Sequence, residues 1–244
     1  MPRSRPAPKR VTRRPATLHR ASLPDAAIAR EFSRRLRAWF RRHARELPWR
    51  DTRDAYHILV SELMLQQTQV SRVLEFYSRF IERFPDLKTL ADARPAHVLA
   101  QWRGLGYYAR ARNLHALARR VVREEAHVYG GALPENPEAL RALPGVGAYT
   151  AGAVASFAYE RRAALVDTNV ARVLSRCFAP RLSPKRARDL TQLWRLAESV
   201  LPRTGRAAWA HNQALMELGA LVCTARVKRC SICPVRGVCQ SRVM

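Results

Sequence analysis

The chain has 244 residues, 48% of them hydrophobic, enough for one large or two small domains with buried cores. Its 44 Lys and Arg outnumber 19 Asp and Glu, and the formal charge of +25 exceeds what solubility needs and points to a polyanionic partner. No segment approaches the ~20 consecutive apolar residues of a membrane span, so nucleic acid stands ahead of a membrane surface.

Residues 1–24 are rich in Arg, Pro and Ala, without periodicity and without the apolar stretch of a secretory signal. They are expected to form a disordered basic arm that attracts nucleic acid. An Arg-rich, acid-poor start also occurs in organelle transit peptides, although several prolines oppose the amphipathic helix those form. The basic character continues beyond the arm, at Arg34, Arg35, Arg37, Arg41, Arg42, Arg119, Arg120, Arg161 and Arg162.

From Ser22 onward the apolar residues recur at helical spacing, as in Phe32, Leu36, Trp39 and Phe40, and again in Leu59, Leu63, Val70, Val73, Tyr77 and Phe80. Prolines from Pro48 to Pro202 divide the pattern into helices of ordinary length, and no stretch alternates as a strand. The expected class is all-α, with many helices and short connections.

The run Leu143-Pro144-Gly145-Val146-Gly147 separates a helical stretch ending at Ala142 from one lined by small residues, Ala148 to Ala155. A helix, a tight glycine hairpin and a second helix follow. Glycine permits positive φ and close approach, and amides exposed at the start of the second helix suit a phosphate held near Gly145 and Gly147. A plain αα-corner would use the same residues.

Near the end, Cys223, Cys230, Cys233 and Cys239 are separated by six, two and five residues. Disulfides, tetrahedral zinc and an iron-sulfur cluster compete for such a set. Zinc favours two paired knuckles, and only Cys230 and Cys233 have that spacing, so the compact, unequal box suits a cubane better. Cys177 reads as a small buried apolar residue. Arg226, Lys228, Arg229 and Arg236 lie in or beside these loops and would grip phosphates.

Taken in order, Leu47-Pro48-Trp49-Arg50, Ser61 to Gln69, Gly104 to Arg110, Leu143 to Gly147, Val166 to Val170, Asn212 to Leu215 and the cysteine box form a specific set. The chain resembles the endonuclease III branch of helix-hairpin-helix DNA glycosylases and, within it, the MutY-type adenine glycosylases, from about Leu47 to Cys239. That resemblance implies a six-helix barrel over 51–165 carrying the hairpin. It implies a second domain, from 25–50 and 166–244, around a 4Fe-4S cluster held by Cys223, Cys230, Cys233 and Cys239.

Breaking the bond between a base and deoxyribose develops positive charge on the sugar, so a catalyst needs one acid to protonate the base and one carboxylate to shelter the cation. Glu62 sits among Leu59, Val60, Leu63 and Leu65, an apolar setting that raises the pKa of a carboxyl. Asp167 precedes the periodic segment Val170, Val173 and Leu174, where a helix N-cap is also expected. The resemblance assigns protonation of adenine N7 to Glu62, stabilisation or covalent trapping of the sugar cation to an ionised Asp167, and orientation of Asp167 to Asn169.

Relatives that also nick the strand carry a lysine two residues after the last hairpin glycine. Here that residue is Tyr149, so no Schiff base can form there and a monofunctional enzyme is expected, with Tyr149 beside the sugar and the carboxylates. The resemblance further places Trp49, Arg50, Gln213 and Met216 around the adenine and Gln67 and Tyr107 against the opened base stack, with Thr68 and Leu105 as further substrate-binding residues.

MutY enzymes continue past the cluster into a NUDIX-like domain, whereas this sequence stops five residues after Cys239, leaving the preference for 8-oxoguanine over guanine open. The expected partner is mismatched double-stranded DNA, bound by a monomer with no membrane attachment. The expected location is the bacterial cytoplasm at the nucleoid, or an organelle or nucleus in a eukaryote. Two other readings stay open: a thymine or uracil mismatch glycosylase of the same branch, and a non-catalytic iron-sulfur DNA-binding protein.

Overall fold

The computed structural model describes residues 23–242. The basic arm expected over 1–24 therefore lies almost wholly outside the described residues, as do the last two residues.

Among the described residues the fold is all-α, and the only pairing of extended backbone is a single antiparallel bridge between Cys223 and Lys228. Helix α1, Ala26–His43, starts where Asp25 accepts a 2.8 Å bond from the Ile28 amide and ends in the basic turn Arg41, Arg42 and His43. Both ends match the helix dipole and its unsatisfied amides. Its apolar stripe, Phe32, Leu36 and Phe40, packs on α12, Gly205–Leu221, so the two ends of the described chain lie together.

Between them run α2 (Ala55–Leu65), α3 (Val70–Arg83), α4 (Leu87–Asp92), α5 (Pro95–Gln101) and α6 (Ala109–Arg119). There follow α7 (Ala126–Tyr129), α8 (Pro137–Arg141), α9 (Ala148–Phe157), α10 (Thr168–Phe178) and α11 (Ala187–Val200). Helix α2 packs on α3, α6 and α9, while α10 and α11 join α1 and α12. Contact between α9 and α12 connects the two groups.

Two helices are buried all round rather than on one stripe. In α2 every residue from Ile58 to Met64 is buried, and in α9 every residue from Thr150 to Phe157. A helix enclosed on all faces leaves no wet side for a charged residue, so Glu62 is taken into the interior with its neighbours.

The periodic run from Leu59 to Phe80 is two helices, interrupted at Gln66–Gln69, where Gln67 has φ +56°. The two hairpin glycines serve different ends. Gly145 adopts φ +76°, but Gly147 has φ −86° and caps α9 in extended conformation. Gly147 is thus used for openness, since nothing lies within 4 Å of where a Cβ would sit.

Helices α10 and α12 meet at Gly219, where an added Cβ would stand 2.7 Å from Asn169 Cβ. Gly219→Ala is therefore expected to cost about 1–3 kcal/mol through overpacking, measured by urea unfolding, and an unchanged midpoint would show that this crossing is loose.

Candidate active site

Helix α2 presents Glu62, α9 presents Tyr149 from its first turn, and Asp167 stands at the start of α10. The Tyr149 hydroxyl donates to Glu62 Oε2 at 2.7 Å and lies 3.8 Å from Met216 Sδ of α12. Glu62 is 4% exposed. Burial pushes its carboxyl up to about 7, the Tyr149 bond lowers it, the nearby Asp167 charge raises it again and Arg50 lowers it. Burial also lifts the Tyr149 hydroxyl well above its ordinary range, so it stays protonated and keeps its donor on Glu62 Oε2.

Asp167 is raised by burial too, but its contacts favour the charged form. Oδ1 accepts from the Val170 amide at 2.6 Å and Oδ2 from Asn169 Nδ2 at 3.0 Å. Asn169 Oδ1 in turn accepts from Arg172 Nη2 at 2.6 Å, and Arg172 Nε donates to the Cys223 carbonyl at 2.9 Å. Asp167 is thus a helix cap and a desolvated carboxylate together; the capping and chemical readings of the sequence describe one geometry.

A second group surrounds Gln213. Arg50 Nε donates to Gln213 Oε1 at 3.0 Å, and Arg50 Nη2 to Glu217 Oε2 at 2.8 Å. Arg45 meets the same carboxylate through its backbone amide and side chain. Glu217 is 1% exposed. Burial by itself would raise its carboxyl, but bonds from Arg45 and Arg50 hold it at about 2. The sequence reading missed Glu217; its signal was a lone acid inside the apolar run Ala214 to Leu218.

The remaining residues divide. Trp49 is buried with its ring edge-on to Tyr77 at 5.3 Å, and the Leu105 side chain is buried. Thr68 bonds only locally, its hydroxyl to the Gln66 carbonyl at 3.3 Å. Gln67 and Tyr107 both have positive φ, +56° and +48°, and the Tyr107 side chain is exposed. Gly145 and Gly147 flank the hairpin tip at the free amides of α9.

Cys223, Cys230, Cys233 and Cys239 line one pocket together with Cys177. Among the described residues no three Cys, His, Asp or Glu side chains converge as the ligands of a single metal ion. Arg176 Nη1 donates to Cys223 Sγ at 3.3 Å and to the Thr224 carbonyl at 2.7 Å, and Lys228, Arg229, Arg236 and Arg242 complete a basic rim. Cys177 is buried as expected and lines the same pocket as the four cysteines of the box.

Residues 60–198 match the family described as HhH-GPD superfamily base excision DNA repair protein. The chain belongs to that family. It is 42% identical to the mouse adenine DNA glycosylase over 226 residues, covering 89% of this chain and 43% of that protein. It is 46% identical to the adenine DNA glycosylase of Mycolicibacterium smegmatis, covering 82% and 66%. The chain thus spans about two fifths of the length of its mammalian relatives. Among solved structures it superposes on a thermostable thymine-DNA glycosylase with TM-score 0.78 at 30% identity, covering 88% of this chain and 96% of that one. A complex of endonuclease III with DNA gives TM-score 0.70 at 22% identity, over 86% and 92%, and supports the helix-hairpin-helix glycosylase fold.

Two measurements check the electrostatics. Because Glu62 is raised in the folded state from an ordinary 4.5 to about 7, the folded protein binds the extra proton, and this contribution to stability is full below about 4.5 and lost as pH rises through about 7. Glu62→Gln should remove that decline from a pH series of unfolding free energies, and a persistent decline would assign it elsewhere. Glu217→Ala strands two arginines, one only 10% exposed, and should destabilise by about 3–5 kcal/mol in thermal or urea unfolding.

Proposed function

We propose that the chain is a monofunctional DNA glycosylase that hydrolyses the N-glycosidic bond of adenine mispaired with guanine or 8-oxoguanine. The observation that carries this reading is the Tyr149 hydroxyl on Glu62, with Asp167 alongside: an acid with its pKa near neutrality, a second carboxylate held by donors, and no amine nucleophile between them.

With Oε2 occupied by Tyr149, the acid proton of Glu62 resides on Oε1 and passes to N7 of the extruded adenine as the glycosidic bond lengthens. Asp167 stays ionised and stabilises the sugar cation until water adds to it and gives its proton to the Glu62 carboxylate, with Asn169 fixing the orientation of the Asp167 carboxylate. Arg50 anchors the Gln213 carbonyl, so the amide group of Gln213 is directed to the base edge, with Met216 against its face. Trp49 backs this pocket from the core. Gln67 and Tyr107 meet the opened stack, with Thr68 and the buried Leu105 supporting them, and the free amides at Gly145 and Gly147 hold a phosphate.

Cys223, Cys230, Cys233 and Cys239 would hold a 4Fe-4S cluster, which when bound supplies a rigid, redox-capable core to the loop. These four thiols line one pocket beneath a basic rim, which supports the assignment. Arg226, Lys228, Arg229 and Arg236 then contact phosphates of mismatched duplex DNA, bound by a monomer.

A thymine mismatch glycosylase is the second reading, favoured by the thermostable thymine-DNA glycosylase structure at 30% identity. Identities of 42–46% to proteins named adenine DNA glycosylase support adenine instead.

Single-turnover excision from A opposite 8-oxoguanine, A opposite G and T opposite G separates the two: adenine release from the first two is expected, and release of thymine alone would overturn the assignment. Glu62→Gln should slow adenine release by about 10²–10⁴-fold with binding retained. Borohydride should trap no protein–DNA adduct. The purified protein should carry about four irons, and a colourless protein with one zinc would contradict the cluster.

A further inference from the structure

Arg110 is 7% exposed, and burial lowers its pKa, yet among the described residues it pairs with no carboxylate. Its guanidinium is satisfied entirely by backbone carbonyls. Nη1 donates to Leu63 O at 2.8 Å, Met64 O at 2.7 Å and Gln66 O at 2.6 Å. Nη2 donates to Gly106 O at 3.1 Å and Leu105 O at 3.4 Å.

The first three acceptors are at the C-terminal end of α2, where helix carbonyls lack intrahelical donors and the dipole is negative. The other two belong to the loop between α5 and α6, where Gly104 and Gly106 have φ of +103° and +74°. One side chain therefore joins two segments about forty residues apart, as the separations of 44 to 47 residues in its long-range bonds record.

What these segments share is the residue that follows each. Gln67 comes directly after Gln66, and Tyr107 directly after Gly106; both adopt the left-handed backbone that non-glycine residues rarely occupy. The only other such residue among the described ones is Glu160. The Arg110 guanidinium also lies 5.5 Å from the Tyr107 ring centroid and 5.5 Å from that of Trp102, whose Nε1 donates to Gly106 O at 3.2 Å. Tyr107 is 60% exposed, so the protein holds its backbone firmly while leaving its ring outside.

We infer that Arg110 is a positioning residue that clamps the Gln67 and Tyr107 backbones into one preorganised unit, so that the two side chains enter the base stack together. This rests on the glycosylase reading above. A planar fork of five donors is needed to serve two loops at once, and an ammonium group has neither the reach nor the geometry. Because α2 also carries Glu62, the clamp fixes the stack-opening residues relative to the acid.

The test uses the full chain with its cluster and a duplex carrying 2-aminopurine beside an A opposite G mismatch. Arg110→Lys should keep homoduplex affinity while losing the 2-aminopurine fluorescence rise and about tenfold of the mismatch preference. A merely structural loss would lower the melting temperature and active fraction and leave that preference intact. Should Arg110→Lys not fold, a cycle of Gln67→Ala and Tyr107→Ala reads the same property, because residues held by one clamp have non-additive effects on mismatch preference. Wild-type preference and fluorescence in Arg110→Lys, or additive effects in the cycle, would overturn the clamp alone. A wild-type protein without mismatch preference would end the glycosylase reading and this inference with it.

Discussion

The site depends on one constraint: a carboxyl group on a helix with no wet face. Helix α2 is surrounded by α3, α6 and α9, and Glu62 is carried into that environment by its neighbours Leu59, Val60 and Leu63. An unpaired carboxylate there would be costly, so the proton is retained to near neutrality and the one hydrogen bond recorded at its oxygens comes from Tyr149. The small residues of α9 allow the close packing that places Tyr149 there. Fold and acid are two aspects of the same burial.

Around this centre each polar group is held by another. Asp167 is oriented by Asn169, Asn169 by Arg172, and Arg172 by carbonyls of Gly219 and Cys223. On the other side Gln213 is held by Arg50, and Arg50 by Glu217. Such chains leave few buried donors or acceptors unmet, and they connect α10 and α12 to the cysteine loop through hydrogen bonds rather than apolar contact alone.

Much of this was legible in the chain itself. Helical periodicity and proline punctuation gave the all-α class, and the spacing around Leu143 to Gly147 marked the hairpin. Glu62 stood out because an acid among leucines is expensive, and Asp167 because it precedes a periodic segment. Glu217 carried the same signal, a lone acid in an apolar run, but its partners were not legible, and neither was the role of Arg172, because a buried ion pair or relay is defined by partners distant in sequence; Arg45 and Glu217 are 172 residues apart. The break at Gln67 was missed for a similar reason. Its left-handed backbone is imposed by tertiary contacts and not by glycine or proline, and apolar spacing runs on across it. Of the two properties expected of the hairpin glycines, Gly145 has the positive φ and Gly147 the open space that close approach requires.

The central claim is that Glu62 remains protonated close to neutral pH while Asp167 does not. Carbon-13 NMR of side-chain carboxyls, with the Glu62 signal assigned by its loss in Glu62→Gln, measures this directly. The account predicts a Glu62 resonance titrating near pH 7, with Asp167 already ionised there through the donors at Val170 and Asn169. A Glu62 signal titrating near the ordinary 4.5 would contradict it.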